Sequence, residues 1–229
     1  IMARLSLVIL AVCLALPASA TEQWLIIHGG ANQYGLEDIT NGDTTYRGMD
    51  LEDDSLNSGS SFGIGAEFGI GDAWTLGFAY ERLLASTTGG SEPDGVAGEA
   101  DLPLHLFKII ASRRVLARNR LAVRLRTGLG LGRIGGEVEA TSGPYSRDGS
   151  LDGAGLLLEL GISGEYAVIG RTSLFATAGL RAATLDEVTV GGWTLERDQD
   201  GQPESLDYGG VFARIGVRIG FVGNGGGRI

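Results

Sequence analysis

The segment ERDQDGQPESLD places Glu196, Asp198, Asp200, Gly201, Glu204 and Asp207 at positions 1, 3, 5, 6, 9 and 12 of a calcium-loop spacing. That spacing would wrap oxygen ligands around a hard cation. Several features oppose a built site: Glu opens the segment instead of Asp, Asp closes it instead of Glu, Pro203 intrudes, and no helical pattern flanks it. The segment reads as a solvated acidic loop, and neither a metal site nor a cofactor is expected. Catalytic groups are equally sparse. The chain has only two histidines, His28 and His105, and neither stands in a His-x-Ser arrangement with Ser61 or Ser163 as an evident partner. Its glycines repeat with period two and lack the Gly-Lys-Ser/Thr of a phosphate loop. No catalytic residue is assigned, and the histidines are expected to fill space. What does recur is arginine and glutamate set into strictly alternating stretches.

In LAVRLRTGLGLGRIGG, residues 121–136, Leu121, Val123, Leu125, Leu129 and Leu131 share one parity, while Arg124, Arg126, Gly128, Gly130 and Gly132 share the other. Period two is the signature of a strand with two unlike faces. Alternation with Gly, Pro, Asn and Asp punctuation gives eight strands, near 23–31, 61–70, 73–84, 101–112, 119–138, 153–168, 172–185 and 208–221. Short connections (71–72, 113–118, 169–171) alternate with long polar ones (32–60, 85–100, 139–152, 186–207). Three short turns at one end and four long loops at the other are the organisation of an up-and-down membrane barrel with both termini on the periplasmic side.

Magnitudes decide which parity faces inward. An arginine on the lipid face near the bilayer midplane costs about 2–4 kcal/mol. Arg124, Arg126, Arg181, Arg214 and Arg218 on that face would together erase a typical stability of about 5–15 kcal/mol. They are therefore placed in the lumen, where the glycines make room and Glu67, Glu81, Glu159 and Glu165 share their parity. An interior network of arginine–carboxylate pairs is predicted, because a buried charge left unpaired is far costlier than a paired one. Trp24, Trp74, Tyr166 and Phe221 are expected in an aromatic girdle near the periplasmic edge, and Phe62 and Tyr208 in one near the outer edge. Arg82 and Arg133 fall on the lipid parity late in upward strands, where they reach headgroups. The fourth strand, DLPLHLFKIIAS, has apolar residues on both parities. There Pro103 is expected to mark a bulge that returns Lys108 or His105 inward.

Composition agrees. Only Lys108 among the 18 basic residues is lysine, so little ordinary water-facing sheet surface is present. The formal charge of -10 is concentrated in the long loops, which excludes a nucleic-acid-binding surface. Residues 1–20 read as a signal peptide with an apolar core and an Ala18-Ser19-Ala20 cleavage site. The single Cys13 lies inside it, so the mature chain has no thiol or disulfide chemistry. Residues 21–221 form the barrel and 222–229 a short Gly-rich tail.

On these residues the chain resembles the small eight-stranded outer-membrane barrels of the OmpA, OmpX/Ail and OmpW kind. The most specific segment is the last strand, RIGVRIGF, where Arg214, Gly216, Ile219 and Phe221 match the polar-x-Gly-x-x-apolar-x-apolar signal read by the barrel assembly machinery of that class. The resemblance implies a monomeric outer-membrane protein of the Gram-negative envelope, with membrane lipid, lipopolysaccharide and the assembly machinery as partners. It implies a structural or surface-interaction role, with a porin-like OmpW-type channel for small or hydrophobic solutes as the alternative. Lipid A-modifying enzymes also occur on this scaffold, and they are the less favoured reading here.

Overall fold

The computed structural model describes residues 22–34, 45–46, 49–50, 58–84, 86–91, 96–101, 103–142, 145–190, 193–194 and 206–222. The proposed signal peptide, most of the calcium-like segment and the tail beyond Val222 lie outside them. The barrel strands are β1 (Glu22–Tyr34), β2 (Ser58–Ile70), β3 (Trp74–Leu84), β4 (Leu104–Arg118), β5 (Leu121–Ser142), β6 (Tyr145–Ile169), β7 (Thr172–Val190) and β8 (Gly210–Val222). Each pairs antiparallel with its neighbours in sequence, and β8 pairs with β1 from Glu22↔Val222 to Tyr34↔Gly210. The sheet is thereby closed and has no free edge. No helix occurs among the described residues.

Three tight turns join β2 to β3, β4 to β5 and β6 to β7. Left-handed backbone at Gly71 (φ 61°), Asn119 (φ 53°) and Gly170 (φ 56°) makes them possible, because glycine and asparagine bear that conformation at least cost. The second turn is tighter than its sequence suggests. Residues 113–118, RRVLAR, remain in β4 with a register irregularity between Arg114 and Leu116, and Asn119-Arg120 alone make the reversal.

At the opposite end the sheet continues beyond the barrel. β5 and β6 stay paired out to Ser142↔Tyr145, so most of the segment expected to loop from 139 to 152 is strand. A hairpin of Ser86–Ser91 with Val96–Asp101 adds to β5 through Val96↔Ser142 to Asp101↔Glu137.

The faces divide as a membrane wall requires. Outward side chains are large and apolar: Leu129, Leu156, Leu160, Leu180 and Ile215 are each 56–71% exposed. Such a belt far exceeds the apolar patch a protein shows to water, and hydrocarbon is the solvent that fits it. Inward side chains are small, polar or tightly packed. Gly130 shows why glycine alternates here, since a Cβ on it would lie 2.1 Å from the Phe107 carbonyl oxygen and 2.8 Å from Lys108 Cα.

β4 follows simple parity and has no bulge at Pro103: its register with β3 is unbroken from Trp74↔Arg113 to Leu83↔Leu104. Leu104, Leu106, Lys108, Ile110 and Ser112 point in, while His105, Phe107 and Ile109 point out. Apolar residues occupy both faces because the lumen at this height is itself apolar. Two girdle assignments are corrected. Trp24 lies on the inner face of β1, stacked against Arg218, and Tyr208 is fully buried. Trp74, Tyr166 and Phe221 do face outward near the short-turn end, and Phe62 does so near the other.

Candidate functional site: a tiered charged lumen

The lumen is built in three tiers. The tier nearest the long loops is apolar: Leu83, Leu104, Leu106, Ile134, Leu157 and Leu185 are at most 1% exposed. Leu83, Leu104, Leu106, Leu157 and Leu185 take inward positions two to four residues beyond the charged positions on β3, β4, β6 and β7, and Ile134 takes an inward position on β5. Nothing in the alternation alone separates such residues from lipid-facing ones. Only a shared parity with the inward charges could have done so: Glu81 for Leu83, Glu159 for Leu157, Arg181 for Leu185, and Arg124 and Arg126 for Ile134.

The middle tier joins two carboxylates to three cations. Arg181 donates from Nε to Glu159 Oε1 at 2.9 Å and from Nη2 to Glu81 Oε1 at 3.2 Å. Arg214 donates from Nε to Glu81 Oε1 at 2.9 Å, and from Nη2 and Nη1 to the two oxygens of Glu159 at 2.6 and 3.1 Å. Lys108 Nζ donates to Glu81 and, at 2.9 Å, to Glu159 Oε2. Asn32 Oδ1 accepts from Arg181 Nη1 at 3.0 Å, and the Arg214 guanidinium lies 3.9 Å from the centre of the Phe212 ring. Bidentate guanidinium–carboxylate contact is the strongest pairing available to these groups. Lys108 completes the tier and stands outside the arginine–glutamate set that alternation identified. As the only lysine in a strand too apolar for its parity to be plain, it could have been placed by the cost of an ammonium in lipid.

The lower tier, nearer the short turns, pairs Glu67 and Glu165 with Arg124, Arg126 and Arg218. Arg126 Nη2 donates to Glu67 Oε1 at 2.7 Å, and Arg124 Nε to Glu165 Oε2 at 3.0 Å. Arg218 Nη1 donates to both Glu165 oxygens at 3.1 Å, while its Nη2 lies 3.1 Å from Glu67 Oε2. Ser173 Oγ donates to Glu165 Oε1 at 2.6 Å. A space of about 20 Å³ bounded by His28, Lys108, Arg126, Glu159 and Arg214 lies between the charged tiers. It is the size of a single water.

The structure thus brings Glu67, Glu81, Arg124, Arg126, Glu159, Glu165, Arg181, Arg214 and Arg218 into one lumen. It does not bring the histidines together. His28 is buried inside, while His105 faces outward and shares a 2.8 Å hydrogen bond with Tyr80 through Nδ1. His105 lies between Arg82 and Arg133 in the outer register, and Arg133 pairs with Asp152 at 3.2 Å. Ser163 accepts a hydrogen bond from Thr177 at 2.9 Å. No cluster of three metal-ligating side chains occurs among the described residues. Of the calcium-like segment, Glu196, Asp198, Asp200, Gly201 and Glu204 lie outside them.

In β8, where the sequence suggests an assembly signal, Arg214 and Gly216 line the lumen, and Ile219 and Phe221 lie on the outer parity. Gly216 packs so closely against β1 that a Cβ would lie 2.2 Å from the Ile27 carbonyl oxygen.

No protein-family model and no curated protein matches the chain. Solved structures do. The outer membrane protein OprG from Pseudomonas aeruginosa aligns with a TM-score of 0.54 at 12% identity, over 89% of this chain and 97% of its own. A major outer membrane protein from Thermus thermophilus gives 0.52 at 11% identity, over 87% and 99%. The attachment invasion locus protein Ail of Yersinia pestis gives 0.47 at 13% identity, over 88% and 99%. By its closed eight-stranded sheet and the alignments to the Pseudomonas and Thermus proteins, the chain has the fold of the small antiparallel barrels of outer membranes.

Proposed function

We propose that this protein is a non-enzymatic outer-membrane barrel that serves envelope structure or surface interaction through acidic extracellular loops. The observation that carries the reading is the lumen. An apolar tier at most 1% exposed stands above two tiers of bonded charge. A solute would have to cross a tightly packed apolar constriction and then separate buried ion pairs, each step costing several kcal/mol. The barrel wall therefore acts as an anchor, and the chemistry available to partners lies in the loops, where acidic residues outnumber basic ones. Both termini and the three tight turns then face the periplasm, and the long loops face outward. Divalent cations bridging those loops to lipopolysaccharide phosphates fit this charge without a dedicated site.

The test is single-channel conductance and solute uptake by the purified barrel in planar bilayers and liposomes. A flat baseline and no solute-dependent uptake are expected. Reproducible solute-specific transport would replace this reading with that of a channel. Altered lipid A acylation on expression, lost in His28→Ala or His105→Ala, would replace it with an enzyme.

A further inference from the structure

The lumen's charges do not balance. Among the described residues of the two charged tiers, the six cations Lys108, Arg124, Arg126, Arg181, Arg214 and Arg218 pair with the four carboxylates Glu67, Glu81, Glu159 and Glu165, an excess of two positive charges inside a membrane-embedded wall. A surplus buried cation is costly unless an anion reaches it. The middle tier is closed above by the apolar tier. The lower tier is different, because it forms the floor of a cavity of about 320 Å³ at the short-turn end.

Arg124 and Arg218 belong to that floor, and Arg114, Arg120 and Arg171 line the cavity nearer the turns. Only two carboxylates line it, Glu22 and Glu165, and Glu165 is already held by Arg124, Arg218 and Ser173. Arg218 is 3% exposed; its Nη2 is ion-paired with Glu67 Oε2 at 3.1 Å without hydrogen-bond geometry, its Nε makes no hydrogen bond, and the Trp24 ring centre lies 3.7 Å from its guanidinium carbon. Arg114 and Arg171 are fixed in place by donating to the main-chain carbonyls of Asp72 and Phe221, the latter at 3.1 Å. Several arginines lining one polar cavity suit a phosphate, whose oxygens can accept bidentate contacts from more than one guanidinium at once. The volume suits a phosphate bearing a small substituent.

We propose that this vestibule binds a phosphate group, which supplies the negative charge the lower tier lacks. The phosphate reaches it from the short-turn side, either on a soluble phosphomonoester or on the headgroup of a lipid in the adjoining leaflet. The site is independent of whether the lumen conducts, since the apolar tier lies beyond it.

The experiment uses the full barrel folded in a maltoside detergent, which carries no phosphate. Inorganic phosphate and glycerol 3-phosphate are titrated at constant ionic strength by calorimetry and ³¹P line broadening, and phosphatidylglycerol is doped into the micelles in a separate arm. Saturable binding is expected in at least one arm, together with an unfolding midpoint raised relative to equal chloride. The double variant Arg120→Gln/Arg171→Gln should bind at least tenfold more weakly while keeping the heat-shifted gel mobility of a folded barrel. Ala167→Glu places a carboxylate in the cavity wall and should abolish binding by supplying the charge itself. Binding confined to phosphatidylglycerol with the same variant pattern identifies the lipid as the source. No saturable binding in any arm, or equal binding by the parent and both variants, overturns the proposal.

Discussion

Glu81 on β3 and Glu159 on β6, with β4 and β5 between them in the wall, are held by the same three cations, Lys108, Arg181 and Arg214. The tier therefore ties together strands far apart in sequence: Arg214 reaches Glu81 across 133 residues. In a sheet whose neighbouring strands are joined by main-chain bonds, these contacts brace the barrel across its lumen.

Glu81→Gln should lower the unfolding free energy by about 3–5 kcal/mol, because it leaves three cations sharing one carboxylate in a buried site. Lys108→Met in that background should recover part of the loss, since it removes one of the three cations left on the single remaining carboxylate. Urea unfolding in micelles, followed by tryptophan fluorescence, measures both. A double variant as unstable as the sum of the two single ones would show that the tier does not act as a unit.

Gly130→Ala should destabilise by about 1–3 kcal/mol, since its methyl would meet the Phe107 carbonyl and Lys108 Cα and force β4 and β5 apart. Gly135→Ala, on the same strand with nothing within 4 Å of its Cβ position, is the control and should be close to neutral. Comparing their heat-modifiable gel shifts across temperature gives the answer directly.

The sequence downstream of Cys13 has no cysteine, so single-cysteine spin labels report orientation cleanly. Leu125→Cys and Leu129→Cys labels should collide with oxygen, which concentrates in lipid, whereas a label at Gly128→Cys should be shielded from it. The reverse pattern would place Arg124 and Arg126 in lipid and remove the basis of the membrane reading.

Phe221→Ala should reduce insertion into the outer membrane in cells while leaving in vitro refolding into detergent nearly unchanged. Phe221 is half exposed on the outer wall and carries little packing, so its loss would act on recognition by the assembly machinery. Equal loss in cells and in vitro would instead assign the residue to barrel stability.

The features legible in the sequence were those that a single strand decides. Strand period is local, and so is the cost of an arginine in hydrocarbon. Together they fix which parity of each strand faces inward, down to Arg124, Arg126 and the glycines between Leu121 and Leu131. Tight turns are local as well, although RRVLAR reads as the turn while the reversal falls just after it at Asn119-Arg120, because β4 keeps pairing through its irregularity. Tertiary structure decided what closure and stagger decide. Which glutamate meets which arginine depends on how far each strand is shifted around the barrel, and no single strand records that shift. The same shift sets Leu83, Leu104, Leu106, Ile134, Leu157 and Leu185 at one height, so residues that read as lipid-facing by type form a plug. Closure also turned Trp24 inward onto Arg218 and brought Lys108 between Glu81 and Glu159, because a buried cation takes the nearest carboxylate that the completed wall presents.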